Sequence, residues 1–128
     1  MTTPAADDPR LVRLTTICRA LPEATRRYTG QHAAFQVRDR TFAYYLNDHH
    51  GDGIVALSCK VESGLNGALV SADAARFYVP AYLGPKDWVA LRLDGRDIDW
   101  DEVADLVADS YRLIAPKRLV ALIATIAP

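Results

Sequence analysis

The spacing of apolar residues changes along this chain, and that change limits its possible folds more than any other feature. In residues 8–21 and again in residues 99–126, apolar side chains recur every three or four positions, which is typical of amphipathic helices. In the middle of the chain they alternate with other residues or form short β-branched runs, which indicates strands. The sequence therefore predicts helices at both ends and several short strands between them.

The same patterns predict the individual elements. A first helix is expected from about Asp8 to Leu21, with Asp7 or Asp8 as its N-cap and Pro22 at its end. In the second strand of a predicted hairpin, Phe42, Tyr44 and Leu46 alternate with Ala43 and Tyr45. The middle elements are, in order, an extended piece at residues 23–29, hairpin strands at 35–37 and 42–46, a strand at 54–61, a helix at 65–72, an aromatic loop at 76–88 and a last strand at 87–94.

A proline interrupts the final helical stretch. Asp99 and Glu102 form a capping-box pattern at its start. The apolar stripe that follows consists of Trp100, Val103, Leu106, Val107, Ser110, Leu113 and Ile114. Pro116 disfavours helical backbone at the residue before it, so one helix is predicted to end near Ile114 and another to begin at the proline. This last helix is predicted to fold back onto the core, and its apolar face consists of Leu119, Leu122, Ile123 and Ile126.

Length and charge restrict the class of protein. A chain of 128 residues predicts one domain over residues 1–128, in which residues 1–8 form a loose N-terminal tail. The net charge of −1 gives no overall attraction to nucleic acid, so such binding would need a local cationic patch. The start lacks a secretory pattern, and the longest apolar tract is too short to span a bilayer. We therefore expect no membrane contact and a cytoplasmic location.

Motifs for metal, cofactor or catalytic chemistry are missing from the sequence. Cys18 and Cys59 have no paired spacing, so we expect two buried, reduced thiols. The turn "DHHGDG" fails as a calcium loop because Cys59 occupies the position where a bidentate glutamate is required. No phosphate-binding loop or activated-serine pattern occurs. The sequence thus predicts a protein without a metal, cofactor or catalytic residue.

Two cations stand at the start of the last predicted helix. Lys117 and Arg118 oppose the helix dipole there, at a cost of about 0.3–1 kcal/mol each. One interpretation is that they, together with Arg112, satisfy the carbonyl groups at the end of the preceding helix. The other is an anion site in which their charge reinforces the free N–H groups of the new helix.

The segments "FYVPAYLGPKDWVALRLD" and "DWDEVADLVADSYRLIAPKRL" resemble the MmcQ/YjbR family, and the resemblance runs from about residue 10 to 125. It implies a two-layer α+β fold of the CyaY-like type, in which helices cover an antiparallel sheet. Members are commonly described as DNA-binding because of a proposed double-wing shape. The family has no established catalytic motif, so the resemblance transfers no catalytic residue. The segment "VESGLNGALVSAD" departs from many relatives by its two glycines.

The first functional hypothesis is a non-enzymatic DNA-binding module. Arg38 and Arg40, at the turn "RDR", would form a wing tip that touches backbone phosphates without reading sequence. The other proposed contact residues are Lys60, Lys117 and Arg118. Binding of this kind is expected to be weak and to fall steeply with salt.

The alternative hypothesis is a protein that binds a small planar or anionic ligand at the aromatic loop, residues 77–88. Rings around prolines and glycines are typical of a mostly apolar pocket with a few polar groups. The binding residues would be Lys60, Tyr78, Tyr82 and Trp88, with His32 or Tyr44 within reach in the family's fold.

Overall fold

The computed structural model describes residues 8–48, 51–80, 83–95 and 97–126, with side chains as far as residue 123 in the last helix. Within these ranges, four helices and six strands follow one another along the chain. In order they are α1 (Pro9–Arg19), β1 (Thr25–Thr29), β2 (His32–Val37), β3 (Arg40–Asn47), β4 (Val55–Lys60), α2 (Leu65–Ala72), β5 (Phe77–Tyr78), β6 (Trp88–Arg92), α3 (Trp100–Ile114) and α4 (Lys117–Ile126). A short 3₁₀ helix, Gly84–Lys86, precedes β6.

The strands form one sheet in the order β1-β2-β3-β4-β6-β5, and every neighbouring pair is antiparallel. This arrangement confirms the predicted α+β class and the predicted antiparallel sheet. The segment predicted as an aromatic loop contains β5 as well as the 3₁₀ helix. The prediction of a loop was wrong for Phe77 and Tyr78, because these two residues pair with Leu91 and Ala90 of β6 and so extend the sheet.

The main core lies between one face of the sheet and the helices α1 and α3. Both thiols belong to it, and burial raises the pKa of Cys59 to about 12 and also raises the pKa of Cys18. The prediction of buried, unpaired cysteines is thus confirmed. The other large core side chains include Leu11 and Leu14 from α1, Val103, Val107 and Tyr111 from α3, and Phe35, Tyr45 and Leu57 from the strands.

The first helix is capped by the last residue of the predicted N-terminal tail, whose other members, residues 1–7, lie outside the described residues. The Asp8 carboxylate accepts a hydrogen bond from the Arg10 N–H at 2.9 Å and pairs with the Arg10 guanidinium at 2.8 Å. The hydrogen bond from the Arg10 side chain lowers the pKa of Asp8 to about 2. Charged Asp8 therefore stabilises the fold.

Replacing this carboxylate tests its contribution to stability. We expect Asp8→Ala to lower the free energy of unfolding by about 1 kcal/mol at neutral pH, because the cap of α1 is lost. The pKa of Asp8 is lower in the folded chain, so its charge-dependent stabilisation is complete above a pH of about 4 and is lost as the pH falls towards 2. Urea unfolding across this range, with Asp8→Asn as the variant that removes only the charge, measures both parts. A difference that did not shrink below pH 4 would contradict the assignment.

The proline corner has the predicted form. Helix α3 ends at Ile114, and Ala115 is extended with a ψ of 156°. The carbonyl of Pro116 then accepts the first N–H bonds of α4, from Leu119 and Val120. Leu119 is buried, which confirms that α4 folds back onto the core. Leu122 was wrongly predicted to share the buried face, since it is 48% exposed, and the Ile126 side chain lies beyond those described.

At its other end, α3 begins as predicted. The Asp99 carboxylate accepts hydrogen bonds from the N–H groups of Asp101 and Glu102. The Glu102 carboxylate pairs with Arg76 at 2.6 Å, so its charge joins α3 to the segment before β5. The predicted N-cap, Asp99, is confirmed. Glu102, the acidic residue of the capping-box pattern, forms an ion pair with Arg76.

A β-bulge in β3 interrupts the predicted alternation of faces. Phe35 of β2 lies opposite Ala43, but the next residue, Gln36, lies opposite Thr41, so Phe42 is one extra residue on β3. The Phe42 ring therefore packs on the helix side, with its centroid 5.3 Å from that of Tyr111 and the rings almost perpendicular. The alternation read from the sequence was wrong at Phe42, because the bulge separates this residue from the face that carries Tyr44.

Beyond the bulge, one buried hydroxyl connects α3 with the two central strands. The Ser110 side chain donates to the carbonyl of Phe42 at 2.6 Å and accepts from the N–H of Lys60 at 2.9 Å. Ser110 is fully buried. Its hydroxyl thus satisfies one main-chain group on β3 and one on β4. These groups belong to the chain neighbours of Ala43 and Cys59, two residues that lie directly opposite each other on the two strands. We call this arrangement of Ser110, Phe42 and Lys60 the serine bridge. The burial of Ser110 confirms its predicted place on the inward-facing stripe of α3.

The serine bridge is testable by a small substitution. We expect Ser110→Ala to lower the free energy of unfolding by about 2–4 kcal/mol, because a buried N–H and a buried carbonyl both lose their partner. Urea unfolding measures this change, and Ser71→Ala, at an exposed position of α2, is the matched control. Surface substitutions usually change the free energy of unfolding by less than about 0.5 kcal/mol. A loss this small in both variants would show that the serine bridge does not contribute to stability.

Candidate functional site

An open depression of about 340 Å³ lies beside the C-terminal end of α3. Strands β3, β4 and β6, the 3₁₀ helix and the last residue of α3 all contribute to it. Its described lining consists of Arg40, Thr41, Tyr44, Lys60, Leu83, Lys86, Trp88 and Ile114. We call it the cationic depression, because three of these side chains are positively charged.

Different parts of the fold hold each of the three cations in place. Lys60 is the last residue of β4, where the serine bridge fixes its main chain and Trp88 lies directly opposite on β6. Arg40 is the first residue of β3, and its guanidinium donates to the carbonyl of Ile114 at 3.1 Å. Lys86 ends the 3₁₀ helix. The cations therefore come from segments that are distant in sequence.

The turn that carries Lys86 is held close to its neighbours. The side-chain amide of Asn66, in α2, donates to the carbonyls of Gly84 and Trp88, each at 3.2 Å. A Cβ atom at Gly84 would collide with a methyl group of Val79, so a larger residue at this position would force that side chain to move. Together these contacts place Lys86 beside the start of β6.

Two aromatic rings lie at the depression. The Tyr44 and Trp88 rings have centroids 5.5 Å apart and are inclined by 50°. Trp88 is buried and Tyr44 is only half-buried, so the tyrosine is the ring that a ligand can reach. The arrangement offers an aromatic surface next to positive charge, a combination that suits planar anions.

The charge of the depression differs from that of the chain as a whole. Arg40, Lys60 and Lys86 line it, and none of the described lining residues is acidic. The whole chain has a net charge of −1. A site with three cations and no described carboxylate attracts anions locally, even though the molecule as a whole does not.

The predicted wing tip has a different environment. Arg38 and Asp39 form the turn between β2 and β3, with positive φ angles of 49° and 64°. The Arg38 guanidinium pairs with both carboxylate oxygens of Glu23, at 2.6 and 3.1 Å. This hydrogen bonding lowers the pKa of Glu23, and the charge of Arg118 lowers it further. The charge at the wing tip is thus balanced by an acid.

The cations at the start of α4 are exposed. Lys117 and Arg118 begin that helix, and Arg118 lies close enough to Glu23 to affect its pKa. The carbonyl at the end of α3, at Ile114, accepts from Arg40. Arg112 pairs with Asp109 at 2.8 Å. Arg40 therefore has the contact with the end of α3 that the sequence suggested for Arg112, Lys117 and Arg118.

The structure brings together only part of the alternative, aromatic-loop site. Lys60 and Trp88 are opposed in the sheet, and Tyr44 joins them at the depression. Tyr78 lies on the outer strand β5, its buried hydroxyl has no hydrogen-bond partner, and burial raises its pKa to about 12. The His32 ring accepts a hydrogen bond from the Asn47 N–H at 3.1 Å and does not line the depression. Tyr82 lies outside the described residues.

Sequence reasoning missed several residues of the site. Lys86, Thr41, Leu83 and Ile114 line the depression but were not predicted to belong to it. The nearest signal was "GPKDW", which places a lysine two residues before Trp88. The direction of that lysine depends on the 3₁₀ helix and on the hydrogen bond between Asn66 and Gly84. Neither feature produces a periodic pattern in the sequence.

The described residues contain neither a metal-binding cluster nor a membrane-spanning helix. Within the described residues, no group of three or more histidine, cysteine, aspartate or glutamate side chains is arranged to hold a metal ion. The histidines of the "DHHGDG" turn, His49 and His50, fall outside that part of the chain. No helix in the described ranges is both long and apolar enough to cross a membrane.

Comparisons with known proteins identify the family. The family model named YjbR matches residues 19–113. The chain belongs to the YjbR family. A crystal structure of the Deinococcus radiodurans protein DR2400, with the family domain DUF419, is similar to this chain at 25% identity and a TM-score of 0.65. That similarity covers 81% of this chain and 77% of the other. Among proteins of curated function, none matches the sequence. Family and fold thus agree with the resemblance found in the sequence.

Proposed function

We propose that this YjbR-family chain is a non-enzymatic DNA-binding module and that the cationic depression is its contact surface. The observation that carries the proposal is the convergence of Arg40, Lys60 and Lys86 on one depression whose described lining has no acid. Phosphate groups of the DNA backbone are the anions that such a cluster would meet. Contacts of this type fix a protein on DNA without reading the bases.

Other cations extend the proposed surface unevenly. Lys117 and Arg118 are exposed at the start of α4, which follows the end of α3 at the depression after two residues. Arg38 is paired with Glu23, so binding a phosphate there means replacing an existing ion pair. We therefore place the contact at the depression and the start of α4, with a smaller contribution from the hairpin tip.

The small cation count predicts modest affinity. Each phosphate that the protein neutralises contributes a slope of about 0.9 in log K against log salt. Three cations at the depression correspond to a total slope of roughly 3, well below that of strong DNA-binding proteins. The overall charge of −1 adds no long-range attraction. The proposed binding is thus weak and local.

A second candidate function is the binding of a small planar anion. The Tyr44 and Trp88 rings, 5.5 Å apart beside Lys60, favour it. A depression of about 340 Å³ falls within the usual range of small-ligand sites. In this case one small anion would pair with Arg40, Lys60 and Lys86, the cations that DNA phosphates would contact in the first proposal.

Neutralising one cation of the depression tests the DNA proposal. We expect Lys86→Gln to weaken the binding of labelled DNA and to reduce the salt slope by about 0.9, because one phosphate contact is lost. Fluorescence anisotropy over a series of salt concentrations measures both quantities. Arg19→Gln, at an exposed position near the end of α1, makes the same change of charge on the helix side and is expected to leave binding unchanged.

Two results would contradict this proposal. One is an unchanged salt slope in both Lys86→Gln and the double variant Lys60→Gln/Lys86→Gln, with both proteins folded by circular dichroism. The other is an equal loss of affinity in Arg19→Gln, which would show that binding follows total charge rather than the depression.

A further inference from the structure

One edge of the sheet is open and long enough to bind another strand. Strand β1, Thr25–Thr29, is the outermost strand on its side, whereas the strand at the other edge, β5, has two residues. Four of the five residues of β1 are exposed, and Tyr28 is half-buried. In the part of the chain that the structure describes, no further element hydrogen-bonds to this edge. The main chain of β1 is therefore accessible from outside the sheet.

The pairing of β1 with β2 determines which of its main-chain groups lack a partner. Thr29 and His32 flank a two-residue turn, so they form a hydrogen-bonded pair. Bonded and non-bonded pairs alternate along an antiparallel ladder. Every second residue counted back from Thr29 therefore bonds to β2, while the N–H and carbonyl groups of Arg26 and Tyr28 point away from the sheet. These are the groups that a further strand would bind.

Positive charge is concentrated along this edge. Residues 9–29 contain five arginines and one acid, Glu23, whose carboxylate pairs with Arg38. Arg26 and Arg27 are adjacent on β1, so their side chains lie on opposite faces of the sheet. Within the described ranges, neither of them has a carboxylate partner. The edge therefore attracts a strand that carries negative charge.

Helix α1 lies beside the same edge. The Arg26 guanidinium donates to the Thr15 hydroxyl at 3.2 Å, and its central carbon lies 4.7 Å from the centroid of the Tyr28 ring. Val12 precedes Thr15 by three residues and Arg19 follows it by four, so both share its face of α1. Both side chains are exposed, and Val12 is 48% exposed. A strand added to β1 would thus also lie next to an apolar side chain and a further cation.

We propose that β1 binds an extended peptide segment of a partner protein, with two consecutive acidic residues at its centre. The segment adds a strand to the sheet through the outward main-chain groups of Arg26 and Tyr28. One acid lies opposite Arg26 on the helix side of the sheet, and the other lies opposite Arg27 on the other face. Strand addition takes its affinity from main-chain hydrogen bonds and its selectivity from the side chains. This surface is separate from the cationic depression and does not depend on the DNA proposal.

Two other occupants fit this edge less well. A second copy of the chain, paired antiparallel through β1, would bring the arginines of both strands together, and like charges on facing strands are destabilising. Charged side chains on an edge strand are a common protection against such self-association. DNA phosphates could meet the arginines, but a phosphate backbone has no donors for the outward carbonyl groups. The edge thus favours an acidic peptide.

Fluorescence anisotropy of a labelled, capped peptide, with two central glutamates flanked by valine and threonine, measures this binding. We expect saturable binding that is roughly threefold to tenfold weaker in Arg26→Gln/Arg27→Gln, because two cross-strand charge pairs are lost. The double variant Lys60→Gln/Lys86→Gln removes the same charge at the cationic depression and is expected to bind the peptide as the wild type does. A peptide with lysines in place of the glutamates is expected to bind Arg26→Glu/Arg27→Glu and not the wild type.

Methylation of alternate peptide amides tests strand addition separately from charge. In an added strand, only every second amide faces β1. A peptide N-methylated on those amides is expected to lose binding, whereas a peptide methylated on the intervening amides is expected to keep it. The two peptides have the same charge and composition, so a difference between them reports main-chain pairing.

Several results would overturn this inference. Absence of saturable binding does so outright, and equal binding of both methylated peptides would show attraction by charge alone. Self-association of the protein that the peptide reverses would assign the edge to a second copy. Displacement of the peptide by duplex DNA would assign it to nucleic acid. The DNA proposal is tested independently, because Arg26→Gln/Arg27→Gln is expected to leave DNA binding at the depression unchanged.

Discussion

The Ser110 hydroxyl is the interaction on which this end of the molecule depends. A β-bulge turns Phe42 towards Tyr111, and Ser110 then connects the carbonyl of Phe42 with the N–H of Lys60. The helix α3 is thereby fixed to the two central strands. The same bond determines where Lys60 leaves the sheet, so a constraint inside the core sets the position of a charged group at the surface.

Positive charge accumulates around the end of α3 for a physical reason. The helix ends at Ile114 because Pro116 follows, and its terminal carbonyl needs a donor. Arg40 supplies that donor from β3. The cation that completes the helix end thus also lines the depression, where Lys60 and Lys86 join it. At this one corner a cation that completes the fold also lines the proposed binding surface, so a chain of net charge −1 has a locally cationic surface.

Sequence periodicity predicted the helices and most strands, because burial of one face imposes a regular repeat on each element. It failed where a local irregularity decides the outcome, as at Phe42, where one extra residue changes the face. The short strand β5 was also missed, since two residues have no period. Strand order and the pairing of Arg38 with Glu23 depend on contacts between distant segments. Lys86 was missed for the same reason, so the residues predicted from the sequence make up only part of the candidate site.

We propose that the chain meets its ligand at the depression at the end of α3. The change in amide chemical shifts when a DNA oligonucleotide is titrated into the labelled protein tests this placement directly. We expect the largest shifts on Arg40, Tyr44, Lys60 and the turn at Lys86. Shifts concentrated on α1, or on the hairpin tip at Arg38 with the depression unchanged, would contradict it.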